Sequence, residues 1–176
     1  TSAGDEATFV EYAVGAWRCT NYTKTDGTSV VAAGGGFDSF MSYMGTGQAV
    51  ATATTTKMQF DTEVFDTGVK YDPTTNYRYT PASGKYIVAI RLGIPIGDTE
   101  FAELYLRKNG ITIAKQTKRA STIGITIEPL LGFTVISLVE ANGTDYFEVY
   151  IYQNSGISQT IGGSLQTSEF SAVGIG

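Results

Sequence analysis

The sequence predicts an all-β domain, a β-sandwich or jelly roll. Thr, Ser, Tyr and Val are abundant, and the 176 residues include 21 Gly but only 4 Pro. This composition favours strands and turns over helices. Apolar and polar residues alternate in about eight to ten short segments, with turn signals at spacings of roughly 8–12 residues. No segment has the apolar periodicity of a helix of useful length.

Residues 1–36 differ from the rest of the chain and predict a small β-hairpin segment followed by a linker. Short alternating stretches lie on both sides of Gly15, TDGT at 25–28 is a strong turn signal, and AAGGG follows it. A hairpin of this size is marginally stable alone. We therefore expect it to need a partner, either the main domain or its own copies on neighbouring chains. Because Thr1 is not an initiator methionine, we expect the chain to be either processed or the ordered piece of a longer protein, and we favour the second.

Residues 37–176 form the predicted main domain, and SFMSYMG is its first strand. The next segment, TTKMQFDTEVFDTG, places Met58 and Phe60 on one face, and NYRYTP follows and ends at ASG. The long apolar segment KYIVAIRLGI predicts a strand whose alternate residues face the core. These core-facing residues are Tyr86, Val88, Ile90 and Leu92.

Two Asn-Gly turns predict hairpins in the second half of the chain. AELYLRKNGITIAK reads as two strands joined at KNG, with Leu104 and Leu106 pairing toward Ile111 and Ile113. GFTVISLVEANGTDYFEVYIYQ predicts a second hairpin with ANGT as its turn, because Asn-Gly is the strongest short hairpin signal. SEFSAVGI supplies the last strand.

The strand DYFEVYIYQ is apolar on both faces. Phe147, Val149 and Ile151 alternate on one face, and the other face carries Tyr146, Glu148, Tyr150 and Tyr152. A sandwich strand normally has one polar face, and tyrosine suits a surface that is buried yet partly wet. The second face is therefore either ordinary surface or a subunit interface, where aromatic residues are enriched.

Charge and missing residue types exclude several classes of function. The formal net charge is -5 with no basic run, which argues against nucleic-acid binding. The sequence has no stretch of about 20 apolar residues that would predict membrane insertion. The best candidate, ITIEPLLGFTVISLV, is interrupted by Glu128 and Pro129 and reads as two strands. Histidine is absent and Cys19 is the only cysteine, which removes His-dependent triads, His-ligated zinc and intrachain disulfides.

The order of motifs from residue 37 to about 175 resembles a C1q-like domain. The matching segments are SFMSYMG, KMQFDTEVFD, YDPTTNYRYTPASGKYIV, the KNG hairpin, the aspartate-led strand from Asp145 and the terminal FSA. The resemblance implies a ten-stranded C1q/TNF-like jelly roll that assembles as a homotrimer. It also implies that Tyr150 and Phe170 lie near the threefold axis, and we predict Tyr152 at the same interface.

Residues 1–36 carry a second, shorter resemblance. GDEATFVEYA followed by WRCTNYTKTDGT is similar to the short segment ahead of the tip domain in bacteriophage tail and virion fibres. No G-X-Y repeat is present, so the collagen stalk of the animal C1q-like proteins is missing. Together the two resemblances imply the C-terminal tip of a trimeric phage fibre. Such a tip would lie on the virion exterior, beside other fibre or capsid proteins.

The first functional hypothesis is attachment to a bacterial surface receptor, a glycan in particular. A trimer presents three equivalent sites, which can raise avidity by about 10²–10⁴-fold. Saccharide sites combine exposed aromatic rings with side chains that hydrogen-bond hydroxyl groups. The candidates are loop residues whose ordinary role would be turn formation. They are Tyr71, Asp72, Asn76, Tyr77, Gln153 and Asn154.

Two other hypotheses come from different classes. A head fibre, decoration protein or trimerisation cap would control assembly and bind no saccharide. A glycoside hydrolase needs two carboxylates about 5–10 Å apart, but the DTE segments at 61–63 and 98–100 read as solvated loop charges, so we predict no enzyme activity. No cofactor is predicted. Calcium through the loop carboxylates Asp66, Asp72 and Asp98 is a side hypothesis without EF-hand spacing.

Overall fold

The computed structural model describes residues 6–23, 38–95, 100–119 and 130–175. The chain divides into two compact units, Thr1–Gly36 and Phe37–Gly176. Every regular element in the described ranges is a strand, as the sequence predicts. The strands are β1 (Glu6–Ala13), β2 (Ala16–Thr23), β3 (Ser39–Tyr43), β4 (Gln48–Val50), β5 (Thr56–Lys57), β6 (Thr62–Asp66), β7 (Tyr71–Asp72), β8 (Arg78–Tyr79), β9 (Ser83–Pro95), β10 (Phe101–Lys108), β11 (Ile111–Arg119), β12 (Leu130–Asn142), β13 (Phe147–Gln153), β14 (Gln159–Ile161) and β15 (Ser168–Gly174).

The first unit contains an antiparallel hairpin of β1 and β2. Its turn is Val14–Gly15, where Gly15 has φ of +79°, a conformation that glycine adopts without a Cβ penalty. The Gly15 amide donates to Glu11 Oε1 at 2.8 Å. The TDGT segment and the glycine-rich linker, which the sequence marks as a turn and a joint, lie outside the described residues.

The second unit contains a five-stranded and a six-stranded antiparallel sheet. One sheet has the order β12-β9-β15-β3-β6, and the other has the order β11-β10-β13-β8-β7, with β5 also paired to β13. A separate small ladder joins β14 to β4. The ten strands implied by resemblance become thirteen segments in residues 38–175, because several edge pieces are only two or three residues long.

Aromatic rings from both sheets pack between them. Phe40 stacks on Tyr71 and Tyr79 with centroids 4.7 and 4.3 Å apart, and Phe170 meets Phe40 edge-on at 4.9 Å. Such pairs contribute about 0.5–1.5 kcal/mol each beyond their buried area. Phe60 lies 5.5 Å from Phe170 and completes the cluster. The predicted core positions are confirmed, because the side chains of Met58, Phe60, Tyr86, Val88, Ile90 and Leu92 are all buried.

The KNG hairpin is confirmed, but its predicted register is wrong. Asn109 and Gly110 have φ of +52° and +79°, the paired left-handed conformation of a two-residue hairpin turn. A bulge between Leu106 and Arg107 shifts the ladder, so Leu106 faces Ala114 and Leu104 faces Gln116. Ile111 faces Lys108 and is exposed on the edge strand.

The ANGT segment does not form a hairpin. Strand β12 pairs with β9, whereas β13 pairs with β10, β8 and β5 in the opposite sheet. The Asn142 side chain accepts from the amides of Thr144 and Asp145 at 2.9 Å each, which closes a side-chain turn. The Asn-Gly turn, which usually joins two neighbouring strands of one sheet, here connects β12 in one sheet to β13 in the other.

Candidate binding surfaces

Two of the predicted ligand-binding residues lie in the core. The Tyr71 ring is buried and its hydroxyl donates to the Phe60 carbonyl at 2.8 Å. Gln153 is fully buried; its Nε2 donates to the carbonyls of Val50 at 3.1 Å and Ile157 at 2.9 Å. Both predictions are wrong, because the strand alternation turns these side chains inward, where their polar atoms satisfy backbone groups.

Asp72, Asn76 and Tyr77 form a turn whose polar atoms bind one another. The Asp72 carboxylate accepts from the amides of Thr74, Thr75 and Asn76 at 2.9–3.0 Å, and from Asn76 Nδ2 at 2.9 Å. Tyr77 has φ of +46°. Asn154 Oδ1 likewise accepts from the Phe101 amide at 2.6 Å. Ligand binding by these four residues stays a prediction, and the side chains of Asp72, Asn76 and Asn154 already bond within the chain.

Asp72 yields a pH-dependent prediction. The hydrogen bonds from the Thr75 and Thr74 amides hold the pKa of Asp72 well below its usual range. A carboxyl group with a lowered folded-state pKa stabilises the fold above its unfolded pKa of about 3.9, and this contribution is lost as the pH falls toward the folded value. Asp72→Asn replaces charge-assisted hydrogen bonds with neutral ones, and we expect it to cost about 1 kcal/mol near neutral pH.

The measurement is chemical unfolding of both proteins at about pH 7 and about pH 3. The difference between Asp72→Asn and the parent should be smaller at the lower pH, where the carboxyl group of Asp72 is already largely protonated in the unfolded chain. An equal difference at both pH values would contradict this assignment. Thr54→Ala, in another exposed turn whose hydroxyl donates to the Thr52 carbonyl at 3.3 Å, serves as a pH-independent control.

The described acidic residues offer no ready cation site. No group of three or more His, Cys, Asp or Glu side chains is close enough together to hold a metal within the described ranges. Asp66 accepts from the amides of Gly68 and Tyr71 at 3.1 and 2.7 Å. In the first DTE segment, Asp61 accepts from the Gly45 amide at 2.6 Å. Asp98 lies outside the described residues.

The structure places the three predicted interface residues in two different environments. Phe170 is fully buried in the aromatic core of its own chain. Its prediction as an interface residue is therefore wrong: β15 alternates, and the faces of Phe170 and Ser171 are opposite. Tyr150 and Tyr152 are half-buried on the outward side of β13. Their role at an interface stays a prediction.

The outward side of the β12-β9-β15-β3-β6 sheet is apolar. Two rows of paired residues run across its strands. The first row, from β12 through β9 to β15, is Leu138, Ile87 and Val173. The second row, from β12 through β9, β15 and β3 to β6, is Ile136, Ala89, Ser171, Met41 and Phe65. Exposure is 68% for Ile136, 67% for Leu138, 45% for Val173, 45% for Phe65 and 38% for Ile87. We call these eight side chains the apolar face.

Charged side chains border the apolar face on two sides. Along one border Arg91 pairs with Glu169, 3.4 Å apart, and along the other Glu140 faces Lys85 across the ladder. A pocket of about 350 Å³ lies on the face between Met41, Phe65, Ile87 and Val173. An apolar centre with a polar border and a pocket has the anatomy of a protein–protein interface.

The outward side of the other sheet is aromatic and charged. Tyr105 faces Tyr150 across the ladder, Lys115 and Lys57 extend that row on either side, and Glu103 faces Tyr152. Arg107 lies over the Tyr150 ring, 4.1 Å from its centroid. We call Glu103, Tyr105, Arg107, Glu148, Tyr150 and Tyr152 the aromatic face.

The two phenols of the aromatic face are fixed by glutamates. The Tyr105 hydroxyl donates to Glu103, which also accepts from Lys115 Nζ at 2.9 Å. The Tyr150 hydroxyl donates to Glu148 at 3.3 Å, and Lys57 pairs with the same carboxylate. Burial and the bond to Glu103 raise the pKa of Tyr105 to about 12, and the bonds from Tyr105 and Lys115 lower the pKa of Glu103.

Solved structures match the fold. The globular domain of zebrafish complement 1qA protein aligns with a TM-score of 0.58 at 12% identity, covering 79% of this chain and 98% of that one. Murine APRIL aligns with a TM-score of 0.60 at 10% identity, over 79% and 99% of the two chains. The chain has a C1q/TNF-like jelly-roll fold.

A third example of this fold is the Eiger TNF from S. frugiperda, with a TM-score of 0.55 at 11% identity over 80% of this chain and 93% of that one. No model of a protein family matches the sequence, and no curated protein sequence matches it. In the described residues no helix is long and apolar enough to cross a membrane. The predicted jelly roll is thus confirmed at the level of the fold.

Sequence reasoning missed the apolar face although a signal for it was present. The segment FTVISLV of β12 is apolar at consecutive positions, so it carries large side chains on both faces just as β13 does. In β12 the outward positions are aliphatic and well exposed, whereas in β13 they are tyrosines and a glutamate. The enrichment of aromatic residues in interfaces favoured β13 as the interface strand, although the outward side of β12 is more hydrophobic.

Proposed function

We propose that this chain is the trimeric tip of a bacteriophage fibre that binds saccharides on the host surface. The apolar face is the observation that carries the proposal. A contiguous apolar patch exposed to water marks an interaction site, and a second copy of the chain is the partner that is always present. Domains with this fold commonly assemble as homotrimers. Closed rings of identical subunits bury one such face on every copy.

The geometry supports the apolar face as the trimer interface in preference to Tyr150 and Tyr152. Ile136 and Leu138 are about two-thirds exposed and have no polar atoms, so covering them gains free energy without any desolvation cost of polar groups. The hydroxyl of Tyr150 already binds Glu148 within its own chain. On this account the aromatic face stays open to solvent in the trimer.

An open aromatic face on each subunit suits saccharide binding. Aromatic rings next to carboxylates and ammonium groups offer both stacking surfaces and hydrogen-bonding groups for sugar hydroxyls. Three copies facing one cell surface would bind through avidity. The location on a virion rests on the resemblance of residues 1–36 to fibre segments, and the proposed partners are the host glycan and neighbouring fibre or capsid proteins.

The test is binding of the intact protein to a bacterial glycan array, with Leu138→Glu alongside as the monomer. We expect saturable binding to one class of saccharide by the parent and a loss of about 10²-fold or more in the monomer. Absence of binding by a protein that is trimeric would overturn the receptor-binding function. It would favour the decoration or trimerisation-cap hypothesis, which needs the apolar face but no saccharide.

A further inference from the structure

Arg107 is the charged member of the aromatic face that forms no ion pair with another described residue. Glu148 faces Arg107 across the β10–β13 ladder, but its carboxylate pairs with Lys57. Glu103, four residues before Arg107 on the same strand, pairs with Lys115. Within the described residues Arg107 takes part in no ion pair, and its Nε has no hydrogen-bond partner. Among the described residues two lysines therefore compensate the two glutamates, and the positive charge of Arg107 has no ion-pair partner.

The surroundings of Arg107 hold its guanidinium in one orientation. It lies 4.1 Å from the ring centroid of Tyr150 and 5.8 Å from that of Tyr105. Both rings are anchored through their hydroxyl groups to Glu148 and Glu103. A guanidinium fixed between rings loses little side-chain freedom when it binds a ligand. The high pKa of Tyr105 and the low pKa of Glu103 mean that these groups keep this charge pattern at neutral pH.

We propose that the aromatic face binds an acidic saccharide, with Arg107 pairing with a sugar carboxylate beside the Tyr105 and Tyr150 rings. A carboxylate carries one negative charge, equal to the uncompensated charge of the face. Its two coplanar oxygens match the donor fork of a guanidinium. The neighbouring tyrosine rings offer apolar contact to the sugar ring. This inference rests on the proposed saccharide-binding function and names its ligand class.

Arg78 provides a matched control on the same sheet. Its guanidinium lies 4.8 Å from the ring centroid of Tyr146, so it resembles Arg107 in stacking on a tyrosine. It faces Asp72 across the β7–β8 ladder and lies outside the aromatic face. Arg78→Gln thus removes a stacked arginine, and a positive charge, without changing the proposed site.

The experiment measures binding of the full chain by calorimetry to oligogalacturonate, hyaluronan fragments and polysialic acid. Each acidic probe is paired with its carboxyl-methylated form, and a phosphate-bearing teichoic acid and a neutral dextran are also measured. We expect one acidic probe to bind and its methyl ester to lose about tenfold or more in affinity. Arg107→Gln should show the same loss, Arg107→Lys a smaller one, and Arg78→Gln none.

The outcomes separate the two proposals. Binding of a neutral or phosphate-bearing saccharide that is unaffected by Arg107→Gln would overturn the acidic-saccharide inference and leave the proposed function standing. Equal binding of a probe and its methyl ester would overturn the inference even where Arg107→Gln fails to fold, because that comparison uses only the parent protein. Absence of binding to every probe, together with silence on the bacterial glycan array, would overturn both.

Discussion

Replacing Leu138 with glutamate is expected to turn the proposed trimer into monomers. Leu138 is 67% exposed in one chain and lies in the row that runs through Ile87 and Val173. In the proposed trimer its side chain would be covered, so a carboxylate at this position would be buried without a partner. That burial costs several kcal/mol for each subunit. Light scattering after size exclusion should change from three times the 18.8 kDa chain mass to a single chain.

Ile157→Glu is the matched control for Leu138→Glu. Ile157 is 64% exposed but lies in the loop between β13 and β14, away from the apolar face. This variant should stay trimeric, since its new carboxylate stays in water. A trimeric Leu138→Glu protein with parental stability would show that the apolar face is not the interface.

Replacing Phe170 with alanine should lower the free energy of unfolding by about 3–5 kcal/mol, the usual cost of removing a fully buried phenylalanine. The ring contacts Phe40, Phe60 and Tyr71 at centroid distances of 4.9, 5.5 and 5.8 Å. Its removal leaves a cavity where the two sheets meet. The loss belongs to the fold of one chain and not to assembly.

The measurement is urea unfolding in the Leu138→Glu background, because the stability of a trimer depends on protein concentration. Phe170→Leu keeps most of the apolar volume and should cost less than the alanine variant. Val173→Ala, at a half-exposed position of the same strand, should change the monomer little. If Phe170→Ala instead unfolded like its Leu138→Glu parent, the packing of this cluster would be wrong.

The strands of the main unit were predictable because the alternation of apolar and polar residues lies within each short segment of sequence. Tyr86, Val88, Ile90 and Leu92 must face the core of any sandwich, and the Asn109–Gly110 turn needs no tertiary information. The partner of a strand is a different matter. The ANGT turn has hairpin chemistry, yet β12 and β13 belong to different sheets, since the pairing of β12 with β9 depends on thirteen residues elsewhere in the chain.

The binding surfaces were harder to predict for the same reason. Tyr71 and Gln153 are residue types that suit a saccharide site, but strand direction turns them inward. Phe170 belongs to the segment that resembles a C1q-like domain, whereas the outward-facing residue beside it is the half-buried Ser171. The aromatic face emerges only when β10 and β13 are laid in register, because Arg107, Tyr105 and Tyr150 come from separate segments.

Hydroxyl-radical footprinting of the intact protein, read by mass spectrometry, tests most directly which face is covered. We expect Met41, Phe65, Ile136 and Leu138 to react more slowly in the parent than in a monomer made by Ile87→Glu. Tyr105, Tyr150 and Tyr152 should react equally in both. Protection of Tyr150 and Tyr152 in the parent, with Ile136 and Leu138 reacting freely, would contradict the assignment of the apolar face as the interface. It would indicate that the subunits meet through the outward side of β13.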